Sequence, residues 1–144
     1  MMTSDRSDKG VRLAKGVQVL LTSMGYESLR EVKLRTRRRV DVMGINAKGR
    51  ILVVEVKSGP ADFRVDEKWT DYLEFCDEYY FAVDEDFPQD LLPADQGLII
   101  ADGFGGAIVT PSADFKLNAS RRKNVILRFA TIAARRLNAA ENPK

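Results

Sequence analysis

The stretch Ile51-Leu52-Val53-Val54-Glu55-Val56-Lys57 decides how this chain is read. Its aliphatic, mostly β-branched run is a strand, and strand side chains alternate between two faces. Leu52, Val54 and Val56 therefore share one face, and Ile51, Val53, Glu55 and Lys57 share the other. The second face is apolar where it begins and charged where it ends. A solvent-facing strand has little reason to place Ile51 and Val53 there. A core strand ends in two charges only when they pair or bind something.

Outward from that strand, Val40-Asp41-Val42-Met43-Gly44-Ile45 leads into a turn at Asn46-Ala47-Lys48-Gly49. The two strands read as a hairpin that carries Asp41 towards Glu55. Two adjacent carboxylates repel, and a divalent cation relieves the repulsion. The chain has no histidine and one cysteine, Cys76. His-based zinc sites, Ser-His-Asp triads, Cys-His pairs and an intrachain disulfide are thereby excluded. A metal held by carboxylates and carbonyls is expected to be Mg2+ or Mn2+. Asp41 and Glu55 are then the ligands, with the Val56 carbonyl as a further one. Lys57 would orient or deprotonate a water, or offset charge on a phosphoryl transition state.

The remaining pattern surrounds this hairpin with helices and further strands. Val11, Leu13, Val17, Leu20, Leu21 and Met24 recur at helical spacing over Lys9–Met24, with Asp8 as a cap and Gly25 as the stop. Glu27–Arg35 reads as a strand. A helix after Gly59-Pro60, capped by Asp62 or Asp66, carries Trp69, Tyr72, Leu73 and Cys76 on one face. Tyr79–Val83, Gly97–Ala101 and Ala107–Thr110 read as strands, and Ser120 as the cap of a long final helix packed through Ile126, Phe129, Ala130, Ala133 and Leu137. The fold class is α/β: a three-layer sandwich with a mixed central sheet and helices on both faces. Residues 1–8 are expected to be a disordered tail, and 9–140 a single domain.

Charge is partitioned along the chain. Residues 28–58 hold nine Lys/Arg and three Asp/Glu, residues 62–95 two and twelve, and residues 114–144 eight and two. Two basic segments that met in space would form a face for a polyanion backbone. Arg37, Arg38 and Arg39, just before Asp41, are candidates for phosphate contact. So are Arg121, Arg122 and Lys123, whose charge in the first turn of the final helix opposes the helix dipole unless an anion compensates it. Arg135 and Arg136 near its other end satisfy the dipole. The acidic run Asp84–Asp86 would repel DNA or contact a basic partner. No stretch approaches the roughly eighteen apolar residues of a membrane span. The polar N-terminus has no apolar signal region, so a cytoplasmic location is expected.

Four segments carry a resemblance: Arg38-Arg39-Val40-Asp41-Val42; Val54-Glu55-Val56-Lys57-Ser58; Asp66-Glu67-Lys68-Trp69 with Tyr72; and Cys76-Asp77-Glu78-Tyr79-Tyr80-Phe81-Ala82-Val83. Together they resemble the PD-(D/E)XK nuclease superfamily, with its restriction-endonuclease-like fold. More closely, residues 9–140 resemble the MmcB-like family of bacterial DNA-repair-associated proteins. The resemblance places the superfamily's two acidic ligands on Asp41 and Glu55 and its lysine on Lys57. It implies an Mg2+- or Mn2+-dependent endo- or exodeoxyribonuclease acting in DNA repair, with DNA as partner and a homodimer or repair protein as a further one. Lys68 would face the scissile phosphate or pair with a neighbouring acid. The alternative is a non-catalytic DNA-binding repair factor with a vestigial nuclease site; a third reading is an adaptor using the acidic segment. Two departures stand out. Val40 replaces the superfamily's proline, and no acidic residue lies between Lys9 and Met24, where some members place an extra ligand.

Overall fold

The computed structural model describes residues 5–61 and 69–144. Helix α1 (Asp5–Ser23) is followed by strands β1 (Tyr26–Lys33), β2 (Arg39–Asn46) and β3 (Ile51–Val56). A 3-10 helix at Trp69–Phe75, strand β4 (Glu78–Val83), a 3-10 turn at Gln89–Leu91, β5 (Gly97–Ala101), β6 (Gly106–Thr110) and helix α2 (Ala119–Glu141) complete the order. The six strands lie side by side in chain order. β1, β2 and β3 form an antiparallel meander, β3, β4 and β5 run parallel, and β6 returns antiparallel to β5.

Alternation along β3 divides the interior into two cores. Leu52, Val54 and Val56 join Leu13, Ala14, Val17 and Leu21 of α1. Ile51 and Val53 join Tyr72, Phe75 and Val125, with Ile126, Phe129 and Ile132 of α2 packed against them. All six residues of β3 are buried, as expected of a central strand covered on both sides. The mixed sheet with a helical layer on each face is therefore the architecture of this chain.

Several local expectations are corrected. Helix α1 begins at Asp5, so Asp8 lies within the helix and does not cap it. Gly25 ends it as expected, at φ 88°, a left-handed conformation that costs glycine little. Helix α2 is capped by Asn118, whose side chain accepts the Arg121 N–H at 2.7 Å; Ser120 lies inside the helix. The stripe on α2 runs through Val125, Ile126, Phe129 and Ile132, while Leu137 is exposed because the helix runs on past the core. After Gly59, Pro60 and Ala61 are helical as expected, whereas the stretch Trp69–Phe75 before Cys76 is a 3-10 helix. Its Trp69 packs on Tyr79 and Phe81, at ring-centroid distances of 5.7 and 5.2 Å.

Arg136 does more than answer the helix dipole. Its guanidinium donates to the carbonyls of Arg30 (2.6 Å) and Glu31 (2.7 Å), and Arg128 donates to those of Lys33 (2.5 Å) and Leu34 (3.4 Å). β1 is an edge strand, and these arginines occupy backbone acceptors that would otherwise invite another strand.

Candidate functional site

The register of the hairpin pairs Val42 with Val54, Met43 with Val53, Gly44 with Leu52 and Ile45 with Ile51. The next positions are Asp41 and Glu55, and there side chains replace the backbone rung. The Asp41 N–H donates to Glu55 Oε2 at 2.9 Å, and the Val56 N–H donates to Asp41 Oδ2 at 2.8 Å. Each carboxylate thus accepts an amide from the other's strand, a charge-assisted bond that holds both in the seam. On the other side of β2, the β1 ladder runs through Arg30–Val42 and Val32–Val40 and skips the Glu31–Asp41 position. Glu31 is left-handed there, at φ 57°. Backbone strain of this kind is uncommon outside glycine and is concentrated at sites that must be held in one geometry.

Glu55 and Lys57 are each only 4% exposed, and Ser58 is also buried. The Lys57 N–H donates to the Ala82 carbonyl at 2.9 Å, extending the parallel ladder one residue past β3. Asp41, Glu55, Lys57 and Ser58 all have further partners. Val56 turns its side chain into the α1-facing core, so only its backbone belongs to this side of the sheet. The hairpin and alternation therefore bring Asp41, Glu55 and Lys57 to one strand end. Asp62, Asp66 and Lys68 lie outside the described residues. Two carboxylates without imidazole or thiolate suit a hard divalent cation. Among the described residues, no group of three or more Asp, Glu, Cys or His side chains could hold a metal. Cys76 adds no chemistry: it is buried, and burial followed by the charges of Asp77 and Glu78 pushes its thiol far up.

The six basic candidates fall into different settings. Arg37 is exposed in the β1–β2 turn at φ 71°. Arg38 pairs with Asp71 (3.2 Å) and lies over the Tyr72 ring, at 5.7 Å. Arg39 pairs with Glu31 (3.2 Å), and its carbonyl accepts the Tyr72 hydroxyl at 3.2 Å. Arg121 pairs with Glu74 (2.8 Å) and covers the Phe75 ring, while Lys123 is exposed. Surface pairs of this kind are weak and exchange readily for a phosphate. Arg122 differs. It forks onto the buried Asp77 carboxylate at 2.6 and 2.8 Å and also donates to the Gly49 and Leu117 carbonyls. Its charge is committed to the fold.

Two further basic residues, not singled out by the sequence pattern, join them. Arg35 and Arg128 line a groove of about 490 Å³ between the β1–β2 turn and α2, together with Thr36, Arg121, Asn124 and one acid, Glu74. The groove also touches Leu34, Phe75 and Val125, so it lies on the sheet face that carries Ile51 and Val53. The two basic segments of the sequence do meet. The seven-residue spacing of Arg121 and Arg128, with Asn124 and Val125 between, is one helix face and was the available signal.

A mixed sheet sandwiched by helices, with an acidic residue on β2 facing Glu-x-Lys on β3, is a restriction-endonuclease-like α/β architecture. The whole chain, residues 1–144, matches the family model described as "DNA repair protein MmcB-like", and the protein belongs to that MmcB-like family. Among solved structures, it is similar to a protein of unknown function from Silicibacter pomeroyi. The two are 51% identical with a TM-score of 0.89, over 94% of this chain and 92% of the other. A repair endonuclease from Pyrococcus abyssi is 19% identical with a TM-score of 0.34, over 46% of this chain and 32% of its own, too slight a likeness to bear on the site. No curated protein matches. Among the described residues, no helix is long and apolar enough to cross a membrane.

Proposed function

We propose that this chain is a DNA-binding repair factor built on a nuclease scaffold, with DNA running along the groove between the β1–β2 turn and α2. The observation that carries this reading is the convergence of Arg35, Arg121 and Arg128 on one groove, drawn from two basic segments far apart in sequence. Arg37, exposed in the same β1–β2 turn, extends that surface, and the ion-paired Arg38 and Arg39 flank it; Lys123, two residues on from Arg121, lies on the other side of α2. Phosphate contacts of this kind supply affinity without base readout. Asp41 and Glu55 each spend a carboxylate oxygen on a backbone amide, which takes binding further than hydrolysis.

The test is fluorescence anisotropy with duplex, single-stranded and branched DNA over a salt series. With K123A, on the other side of α2, as the control, the double variant R35A/R37A removes two exposed charges of the groove side without touching a buried partner. It is expected to weaken binding at least tenfold and to flatten the salt slope by about 0.9 for each phosphate that is no longer neutralised. Affinity and slope equal to those of the unaltered chain would sink the reading.

A second reading, hydrolysis of phosphodiester bonds, is favoured by one observation: Glu55 and Lys57 are almost fully buried on one strand face, opposite Asp41. Charged groups are kept there at a desolvation cost. Asp41, Glu55 and the Val56 carbonyl would hold Mg2+ or Mn2+, which when bound polarises phosphate and acidifies water. Lys57, with Lys68, would place its ammonium against the developing negative charge. Adding Mn2+ to the same DNA mixtures checks this. Cleavage by the unaltered chain that disappears in both E55Q and K57A is the expected result. DNA that stays intact while remaining bound leaves the binding factor alone standing.

A further inference from the structure

Phe104 is 91% exposed, the most exposed of the large apolar side chains described. It sits at the tip of the β5–β6 turn, and that tip is fastened. Asp102 Oδ1 accepts the N–H groups of Phe104 (2.8 Å) and Gly105 (3.0 Å), and the Asp102 N–H donates to the Gly105 carbonyl at 2.9 Å. The turn also presses on α1 so closely that a Cβ on Gly16 would lie 1.8 Å from the Asp102 carbonyl oxygen. Folding normally buries a phenylalanine, and an apolar group displayed on an ordered element marks a contact surface. Val19 of α1, itself more than half exposed, lies next to Gly105 and widens the apolar patch.

Beside Phe104 opens a cleft of about 640 Å³. Ile100 and Ala107 give it an apolar lining; Asp84, Glu85, Asp86 and Asp102 give it four carboxylates, and none of its described lining residues is basic. Asp84 is ion-paired with Lys9 at 2.6 Å, while Glu85 and Asp86 are exposed. The cleft follows the carboxyl ends of β4 and β5, next in the sheet to the end of β3 that carries Glu55 and Lys57.

We propose that this cleft docks a segment of another protein that sets an apolar side chain against Phe104 and lysine or arginine side chains among Glu85, Asp86 and Asp102. Charge selects the occupant. With Asp84 answered by Lys9, the carboxylates of Glu85, Asp86 and Asp102 repel a phosphate backbone and attract a cationic chain, and the apolar lining serves a protein side chain. The recognition runs through side chains. β6 is an edge strand, but its pairing with β5 slips between Leu98 and Ile99, and such an irregularity spoils an edge for strand addition. A partner held here would stand at the same end of the sheet as the Asp41–Glu55–Lys57 cluster, clear of the basic groove.

The test uses the full chain and three fluorescein-labelled peptides: one of alternating Lys/Arg and Leu, one with serine in place of Leu, and one with glutamate in place of Lys/Arg. The first should bind, and the other two at least about tenfold more weakly. F104S and E85K/D86K should each weaken the first peptide by about tenfold or more, because one anchor commonly dominates such a contact. The duplex-DNA affinity of F104S should stay unchanged, and duplex should not displace the peptide. The proposal is overturned by absence of binding of the first peptide, by F104S binding it equally, or by competition from duplex. It is also overturned by self-association in sedimentation velocity that F104S abolishes, which would make the occupant a second copy.

Discussion

Asp77→Ala is expected to remove about 3–5 kcal/mol of stability, the usual cost of breaking a buried charge pair by deleting one partner. Asp77 is 1% exposed, and its carboxylate accepts the Ile51 N–H (2.8 Å), the Leu117 N–H (3.3 Å) and the two-pronged fork of Arg122. Its own amide donates to the Ile51 carbonyl, and its carbonyl accepts the Phe115 N–H, both at 2.8 Å. One residue thus joins the start of β3, the start of β4, the segment before α2 and α2 itself. Alanine leaves two amides and a guanidinium facing an empty space. Domains of this size hold roughly 5–15 kcal/mol in total, so the loss is a large fraction of the whole stability. Urea denaturation followed by circular dichroism measures the loss, and a value below about 1 kcal/mol would mean that the network is no pin.

The same carboxylate gives a pH signature. Burial pushes the Asp77 carboxyl up, but the hydrogen bonds from Arg122 and the Ile51 amide, with the charges of Arg122 and Arg50, outweigh it and hold it below the usual carboxylate range. A depressed carboxylate contributes fully above its unfolded value of about 3.9. The contribution is lost as pH falls through the lower folded value. The unaltered chain should therefore lose stability more steeply than D77N as the pH is taken below about 4. Parallel acid titrations of the two proteins would disprove the assignment.

Gly16→Ala should destabilise the chain, although the same change in an open helix interior gains about 0.8–1 kcal/mol. A Cβ at Gly16 would meet the Asp102 carbonyl oxygen at 1.8 Å and that of Gly105 at 2.8 Å, both backbone atoms that cannot swing aside. Either α1 lifts from the sheet or the β5–β6 turn is displaced, and overpacking of this kind costs about 1–3 kcal/mol or more. Gly10 is the internal control, because nothing lies within 4 Å of a Cβ there. At roughly 3 °C per kcal/mol for a chain of this length, G16A should melt several degrees lower and G10A slightly higher than the parent. A raised melting temperature for G16A would contradict the close approach. Because the displaced turn presents Phe104, G16A should also weaken the basic apolar peptide.

What proved legible beforehand was local. Period-two alternation over Ile51–Lys57 separates two cores and puts Glu55 and Lys57 on one side. The short Asn46–Gly49 turn then leaves Asp41 and Glu55 at facing positions, because a hairpin's register follows from its loop. Helix ends were less legible. Asn118 and Ser120 are both competent caps, and the first hydrogen-bonded turn, not composition, selects Asn118.

The arginines divide by the same reasoning. Their presence in two segments is a property of the chain, but Arg122 meets Asp77 across 45 positions and Arg136 meets Arg30 across 106. No local period encodes such pairings, so one arginine became a core pin and another an edge cap. By itself, the sequence determined the central strand, the Asp41–Glu55–Lys57 cluster and the exclusion of histidine and disulfide chemistry, since these depend on neighbours along the chain and on composition. Only the tertiary structure decided which basic side chains remain for a phosphate backbone. It also decided that Phe104 stands in the open beside four carboxylates, because both outcomes rest on how distant elements pack.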